Sequence, residues 1–369
     1  MNNNKLENSK YASKLKNLVN RANAMRLNPE RPVDVSLSEM VQAELSIDMD
    51  TFYEDLGVDP SFDTVQNFFT TPSEDVRWLI PEVFRDALRL GYRNAPIWPA
   101  ITAKEEQVNG LSQILPYLNM AEASPKKLGE GETIPIGTLS YGERTFRIWK
   151  FGRGIKLTDE VRRYVSLAVV SIYLQDFGVK MGQGVDKLAI DTVINGEQKD
   201  GSNSSPVIGI NDTTAGLVFR DLLKVWVRFS KMGRYPKVMI SGENTALDML
   251  DLPQFSTRSQ GTTQYNLNLK TPLPQGADLY INGNVDTNHL IIIDPSVCLL
   301  KMNAVPLMVE SERIVSNQTS AFYASFTTGF AKLFDDSSII IDKSLDFDTS
   351  GNGFPSFFDV DPNAWVTME

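Results

Sequence analysis

KLTDEVRRYVSLAVVSIYLQDFGVKMGQGVDKLAIDTVINGE (156–197) decides the fold. Thr158 reads as an N-cap, and Asp159 and Glu160 sit in the first turn, where carboxylates oppose the helix dipole favourably. Val161, Val165, Ala168 and Ile172, then Val185, Leu188, Ala189 and Val193, continue at helical spacing as far as Asn195-Gly196. The spacing predicts a helix of up to about 37 residues, roughly 55 Å at 1.5 Å per residue. Gly178, Gly182 and Gly184 predict a kink or break within it. A helix of that length in a chain of this size is a spine crossing the molecule.

On the N-terminal side of the spine, residues 109–154 read as a two-stranded ribbon. LSQILPYL and TIPIGTLSYGERTFRIWKFGRGIKL are its arms, and ASPKKLGEGE is its polar tip. Phe146, Ile148 and Lys150 alternate with Arg147 and Trp149. An isolated ribbon is marginal in water, so this one needs a partner surface, most economically on another chain. Upstream, Leu6 to Met25 has helical spacing, and Ser36 with Glu39 forms a capping-box pattern. Phe52–Thr71 reads as irregular, Ser73–Arg93 as a helix, and APIWPA (95–100) as extended chain because of its prolines.

On the C-terminal side, QKDGSNSSP (198–206) is a linker. A helix over about 214–232, a buried strand PKVMIS (236–241), a helix over 243–251, a loop over 254–270 and strands ADLYING and HLIIID make a compact α/β unit. VPLMVES, AFYASFTTGFAKLF and SIIIDKS are strands that need partners from elsewhere in the chain.

Composition removes most chemistry. The 369 residues carry net charge −10, with 36 cations against 46 anions, one Cys and one His. A single cysteine, Cys298, excludes an intramolecular disulfide framework and Cys-rich zinc sites, and His289 alone excludes any mechanism needing two imidazoles. Phe151-Gly152-Arg153-Gly154 lacks the third glycine of a dinucleotide fingerprint. Asp346 to Gly351 opens like a calcium loop, but position twelve is Phe357 rather than Glu. Asp348-Thr349-Ser350-Gly351 has one residue too many for an aspartic protease, and Asp335-Asp336 is a turn. The expectation is no catalytic residue, no cofactor and no metal. No run approaches the roughly 20 apolar residues of a membrane helix, and the N-terminus lacks a signal-peptide core, which reads as a soluble, intracellularly made protein without a membrane partner. Charge is polarised, +5 over residues 1–27 and −5 over 342–369, which suits pairing between copies or a basic end that meets nucleic acid.

Helical extension, ribbon, K-x-T-D-E-V (156–161), A-I-D-x-x-I-N-G (189–196), PKVMISGENTALDML (236–250) and the strands over 305–341 together resemble a tailed-bacteriophage major capsid protein of the Hong Kong 97-like family, which also includes encapsulins. The resemblance covers about residues 74–345. It implies an α+β fold with an N-terminal arm, an extended ribbon called the E-loop, a peripheral domain built on the spine helix and an α/β axial domain. In those terms the chain divides into a helical extension (1–73), arm (74–108), E-loop (109–154), peripheral domain (155–205), axial domain (206–304), closing strands (305–345) and acidic tail (346–369). The function implied is a non-enzymatic subunit that self-assembles, as hexamers and pentamers, into an icosahedral head around double-stranded DNA. The implied partners are further copies, a portal, scaffold or decoration proteins, and the packaged DNA, bound without sequence specificity. The implied location is the virion, after assembly in the bacterial host cytoplasm. An encapsulin-like compartment holding a protein cargo is the alternative on the same fold, and an acidic hydrolase with a carboxylate pair the alternative from another class.

Candidate contacts between subunits are Lys126, Lys127 and Glu130 at the ribbon tip, Arg144, Arg147 and Trp149 on its second arm, and Lys5, Lys14 and Arg21 on the basic extension. Residues 1–48 are expected to order only on a neighbour or on the inner shell surface. The free chain is expected to expose clearly more than the roughly 15,000 Å² of a compact protein of its mass.

Overall fold

The computed structural model describes residues 17, 19–28, 34–56, 59, 63–65, 79–94, 97–110, 112–118, 139–197, 203–256, 276–347 and 351–358. After a helical segment over 19–26 come α1 (Leu37–Leu45), α2 (Met49–Leu56), α3 (Leu79–Asn94) and the single turn α4 (Trp98–Ile101). Strands β1 (Thr102–Gln107), β2 (Ser112–Leu118), β3 (Leu139–Arg147) and β4 (Trp149–Thr158) lead into α5 (Asp159–Tyr164) and the spine α6 (Leu167–Asn195). The α/β unit follows as β5 (Val207–Ile210), α7 (Phe219–Lys231), β6 (Val238–Ser241), α8 (Glu243–Asp251), α9 (Pro253–Ser256), β7 (Asp278–Ile281) and β8 (His289–Ile293). The chain then returns in β9 (Leu299–Ile314), β10 (Thr319–Lys332) and β11 (Ser338–Asp346).

Three sheets result among the described residues: β1-β9-β10-β4, β5-β11-β8-β6-β7 and the two-stranded β2-β3. The expected ribbon is β2 with β3, antiparallel from Ser112↔Arg147 to Leu118↔Leu139. It is shorter than expected at its base, because β4 pairs instead with β10 over ten consecutive residues, from Thr158↔Thr319 to Trp149↔Thr328. Residues 149–158 therefore belong to the body of the subunit. Phe146 and Ile148 are buried there while Arg147 and Trp149 face out, as their alternation predicts; Lys150 is exposed. Of the final strands, β9 and β10 join that sheet, whereas β11 pairs with β5 and β8 in the other.

The spine differs from its expectation in two ways. It is broken at Val165-Ser166, where the Leu167 N–H donates to the Asp63 carbonyl at 2.9 Å and Ser166 bridges Thr64. It is unbroken through its glycines, which serve a different purpose. A Cβ on Gly178 would lie 2.2 Å from the Leu88 carbonyl oxygen, and one on Gly91 2.0 Å from the Gln175 oxygen. Gly91 and Gly178 thus let α3 and α6 touch backbone to backbone. Gly182 extends the contact, with its Cβ position 3.1 Å from the Tyr92 oxygen.

Other expectations are corrected at specific residues. APIWPA is not extended throughout: Trp98-Pro99-Ala100-Ile101 forms a turn of helix. Pro99 lies in the first turn, where its missing N–H costs nothing. The Trp98 N–H is taken by buried Asp186 at 2.8 Å. The irregular stretch from Phe52 begins inside a helix, α2, and buries Phe52. The helix expected over 214–232 starts only at Phe219. The linker expected over 198–206 ends in a buried junction. Ser205 donates to the Val193 carbonyl, bonds the Ser338 hydroxyl and accepts from the fully buried Lys332 at 3.1 Å, joining spine, β10 and β11. The acidic tail is not wholly solvated, because Phe358 is buried edge-on against Phe229.

The expectation for residues 1–48 is also overturned where they are described. Val19, Ala22, Leu37, Met40 and Val41 are buried in the same core as Leu88, Leu174 and Val185 of their own chain. The capping box of Ser36 and Glu39 is formed as expected, with the Glu39 carboxylate accepting from the Ser36 N–H at 2.7 Å.

Candidate functional site

The lone histidine and the lone cysteine are both held in structural contacts. His289 Nε2 lies 3.3 Å from Asp342, a carboxylate that also accepts from the Ser344 hydroxyl at 2.6 Å. The serine thus donates to the acid rather than to the imidazole, so no base activates it. Cys298 is fully buried, and burial pushes its thiol up to about 11, which leaves it protonated and inert. Among the described residues no group of three His, Cys, Asp or Glu could hold a metal. The crevice between Val65, Ile80, Val83, Phe84 and Leu167 is lined by apolar side chains alone.

What the charged residues do instead is hold the N-terminal segment to the body. Arg26, 1% exposed, grips Glu82 through two hydrogen bonds of 2.7 and 2.9 Å and also donates to the Val35 carbonyl. Asp34 pairs with Arg85, with Arg89 at 3.1 Å and with Arg93 at 3.9 Å. Arg85 reaches across to the Leu307 carbonyl of β9 at 2.8 Å. Asp86 accepts from the Leu37 N–H at 3.0 Å, and burial pushes it up to about 6 despite the neighbouring Arg85. This network ties the helical segment, α1, α3 and β9 into one unit. Sequence reading missed it; Arg85, Arg89 and Arg93 recur every fourth residue on α3, which was the available signal.

Another buried cation sits on β9. Lys301 Nζ lies 3.2 Å from the centre of the Trp98 ring and 3.6 Å from Glu105. Burial pushes its ammonium down to about 8, against the pull of Glu105. Because the folded value lies below the ordinary 10.5, the folded chain gives up this proton first. Stability is therefore expected to rise from pH 8 towards 10.5, by about 1.4 kcal/mol per unit at most. Denaturant titrations at pH 8 and 9.5 should show a steeper rise in the native chain than in Lys301→Met, where buried Lys332, its ammonium also lowered by burial, keeps a rise of the same sign; an equal slope in both would contradict the assignment.

Of the candidate contact residues, Arg21 is exposed on the helical segment and Arg147 on β3, and Trp149 is 50% exposed on β4. Arg144 lies on β3. Lys5, Lys14, Lys126, Lys127 and Glu130 fall outside the described residues. The structure adds exposed apolar side chains that sequence reading did not single out: Tyr164, Ile172 and Tyr173 beside the start of the spine, and Val227, Leu247 and Val315 elsewhere. These are surfaces suited to contact rather than to catalysis.

The profile of the phage capsid protein family matches residues 142–341. No curated protein matches the chain. Among solved structures it is similar to the virus-like particle from Pyrococcus furiosus (TM-score 0.46, 11% identity, 71% of this chain and 98% of the other). It is likewise similar to the capsid of the cyanophage P-SCSP1u (0.49, 12%, 67% and 88%) and to a structure from Gordonia phage Cozz (0.47, 14%, 67% and 86%).

Proposed function

The chain belongs to the phage capsid protein family, and from that premise we propose that many copies of it close the icosahedral head of a tailed bacteriophage around double-stranded DNA. The match over 142–341 carries this reading, because it runs as one continuous block from within the second ribbon strand through the spine, the α/β unit, β9 and β10 into β11. The protein is a structural, non-enzymatic shell subunit. Hexamers and pentamers of the chain, a portal, scaffold or decoration partners, and assembly in the host cytoplasm follow from the same proposal.

Physical features support it. The core is built from apolar clusters and internal ion pairs, leaving the exposed apolar residues and the ribbon for neighbours. Net charge −10 disfavours tight adhesion to packaged DNA, since phosphate affinity comes from cationic side chains. Locking between subunits is non-covalent in this account. Particles boiled in detergent should run as one band near the 41.2 kDa of the chain, and a ladder of oligomers would contradict that. Nuclease treatment of purified particles decides the contents: protected double-stranded DNA supports the head reading, and particles holding only a second protein refute it.

A further inference from the structure

Two helices of the α/β unit carry stripes of opposite charge on their outer faces. Both lie on the same side of the five-stranded sheet, since Leu222, Val225, Trp226 and Phe229 of α7 and Met249 of α8 share one core with Leu290 and Ile292. Opposite its buried face, α7 presents Arg220, Lys224, Val227 and Lys231, spaced i, i+4, i+7 and i+11 along one line. Opposite its own, α8 presents Glu243, Leu247 and Asp251, spaced i, i+4 and i+8. Each stripe has a large apolar residue at its centre, Val227 at 64% exposure and Leu247 at 62%.

Arg220 and Lys231 lie about 16.5 Å apart along α7, and Glu243 and Asp251 about 12 Å apart along α8, each pair bracketing the apolar residue. Lys224 is anchored to Asn211 and the face of Phe347, which holds the middle of the cationic stripe in place. Arg220, Lys231, Glu243 and Asp251 make no ion pair among the described residues. Four exposed charges in two complementary lines, each around an uncovered apolar side chain, are left unused by the subunit itself.

We propose that α7 of one copy docks on α8 of the next, Val227 against Leu247, with the cations of one stripe facing the anions of the other. The two faces differ, so the contact is head-to-tail, and head-to-tail contacts close into rings when the rotation between copies permits. The inference rests on the shell reading above and deepens it by naming a ring contact.

Full-length chains carrying Arg220→Glu with Lys231→Glu, or Glu243→Lys with Asp251→Lys, test it, followed by sedimentation velocity across concentration. Each double variant should keep the native thermal midpoint, because all four positions are exposed, and should need about tenfold or more protein to form rings. The fourfold variant, with both stripes reversed, should return to within about threefold of wild type. A one-to-one mixture of the two double variants should likewise co-assemble, since each then offers what the other lacks. Double variants that assemble like wild type, or a fourfold variant and a mixture no better than the doubles, overturn the contact while leaving the shell reading intact. Wild type that stays monomeric throughout overturns both.

Discussion

Gly178→Ala and Gly91→Ala should each destabilise the subunit by about 3 kcal/mol or more, whereas Gly184→Ala on the same spine should be neutral or stabilising by up to about 1 kcal/mol. The three glycines look alike in sequence, and their surroundings decide the sign. An added Cβ at Gly178 meets the Leu88 carbonyl oxygen at 2.2 Å and the Tyr92 nitrogen at 2.9 Å, and at Gly91 it meets the Gln175 oxygen at 2.0 Å. These obstacles are backbone, so they cannot turn aside as a side chain would; α3 and α6 must separate. At Gly184 nothing lies within 4 Å, and only the better helix propensity of alanine remains. A loss of 3 kcal/mol is a large part of the 5–15 kcal/mol that holds a domain folded. Denaturant unfolding measures all three, and equal effects at Gly178 and Gly184 would refute the close contact of the two helices.

Removing Arg26 should have an effect of the same size for an electrostatic reason. Arg26→Met leaves Glu82, 4% exposed, as a buried carboxylate without its main partner, an arrangement that costs about 3–5 kcal/mol. The double variant with Glu82→Met should recover much of the loss, because a buried ion pair replaced by apolar groups of similar size is often neutral. The Val35 carbonyl keeps a donor, since Arg85 also reaches it at 2.9 Å. A truncation lacking residues 1–27 should show the same penalty and lose Val19 and Ala22 from the core as well. If Arg26→Met unfolds within about 1 kcal/mol of wild type, the N-terminal segment is not the structural strap described above.

The fold was most legible where local signals agreed with packing. The Thr158 cap, the capping box of Ser36 and Glu39, the alternation at Phe146 to Trp149 and the helix over 243–251 all stand as read, because each is fixed by neighbours in sequence. Misreadings arose where distant residues set the outcome. Glycines in a helix lower its propensity, but at Gly178 the contact with Leu88, ninety residues earlier, outweighs that cost. The spine breaks at Ser166 because residues 63 and 64 bond there, which no periodicity records. Strand β4 reads as a ribbon arm, yet its partner β10 begins 161 residues after Thr158. The basic charge of residues 1–27 suggested an arm that orders only on a neighbour or on the inner shell surface, whereas Arg26 belongs to a buried ion pair within its own chain. For the candidate contacts, charge and exposure on the ribbon base were readable. The paired stripes on α7 and α8 were not, since they need to be known as outer faces of one layer.

The central claim is that this chain is a shell subunit, and electron cryomicroscopy of the purified full-length protein tests it most directly. The account predicts closed shells built from one kind of subunit, each with residues 19–26 and 34–48 packed on its own α3. Material that remains a monomer of 41.2 kDa at every concentration, with no rings and no shells, would contradict it.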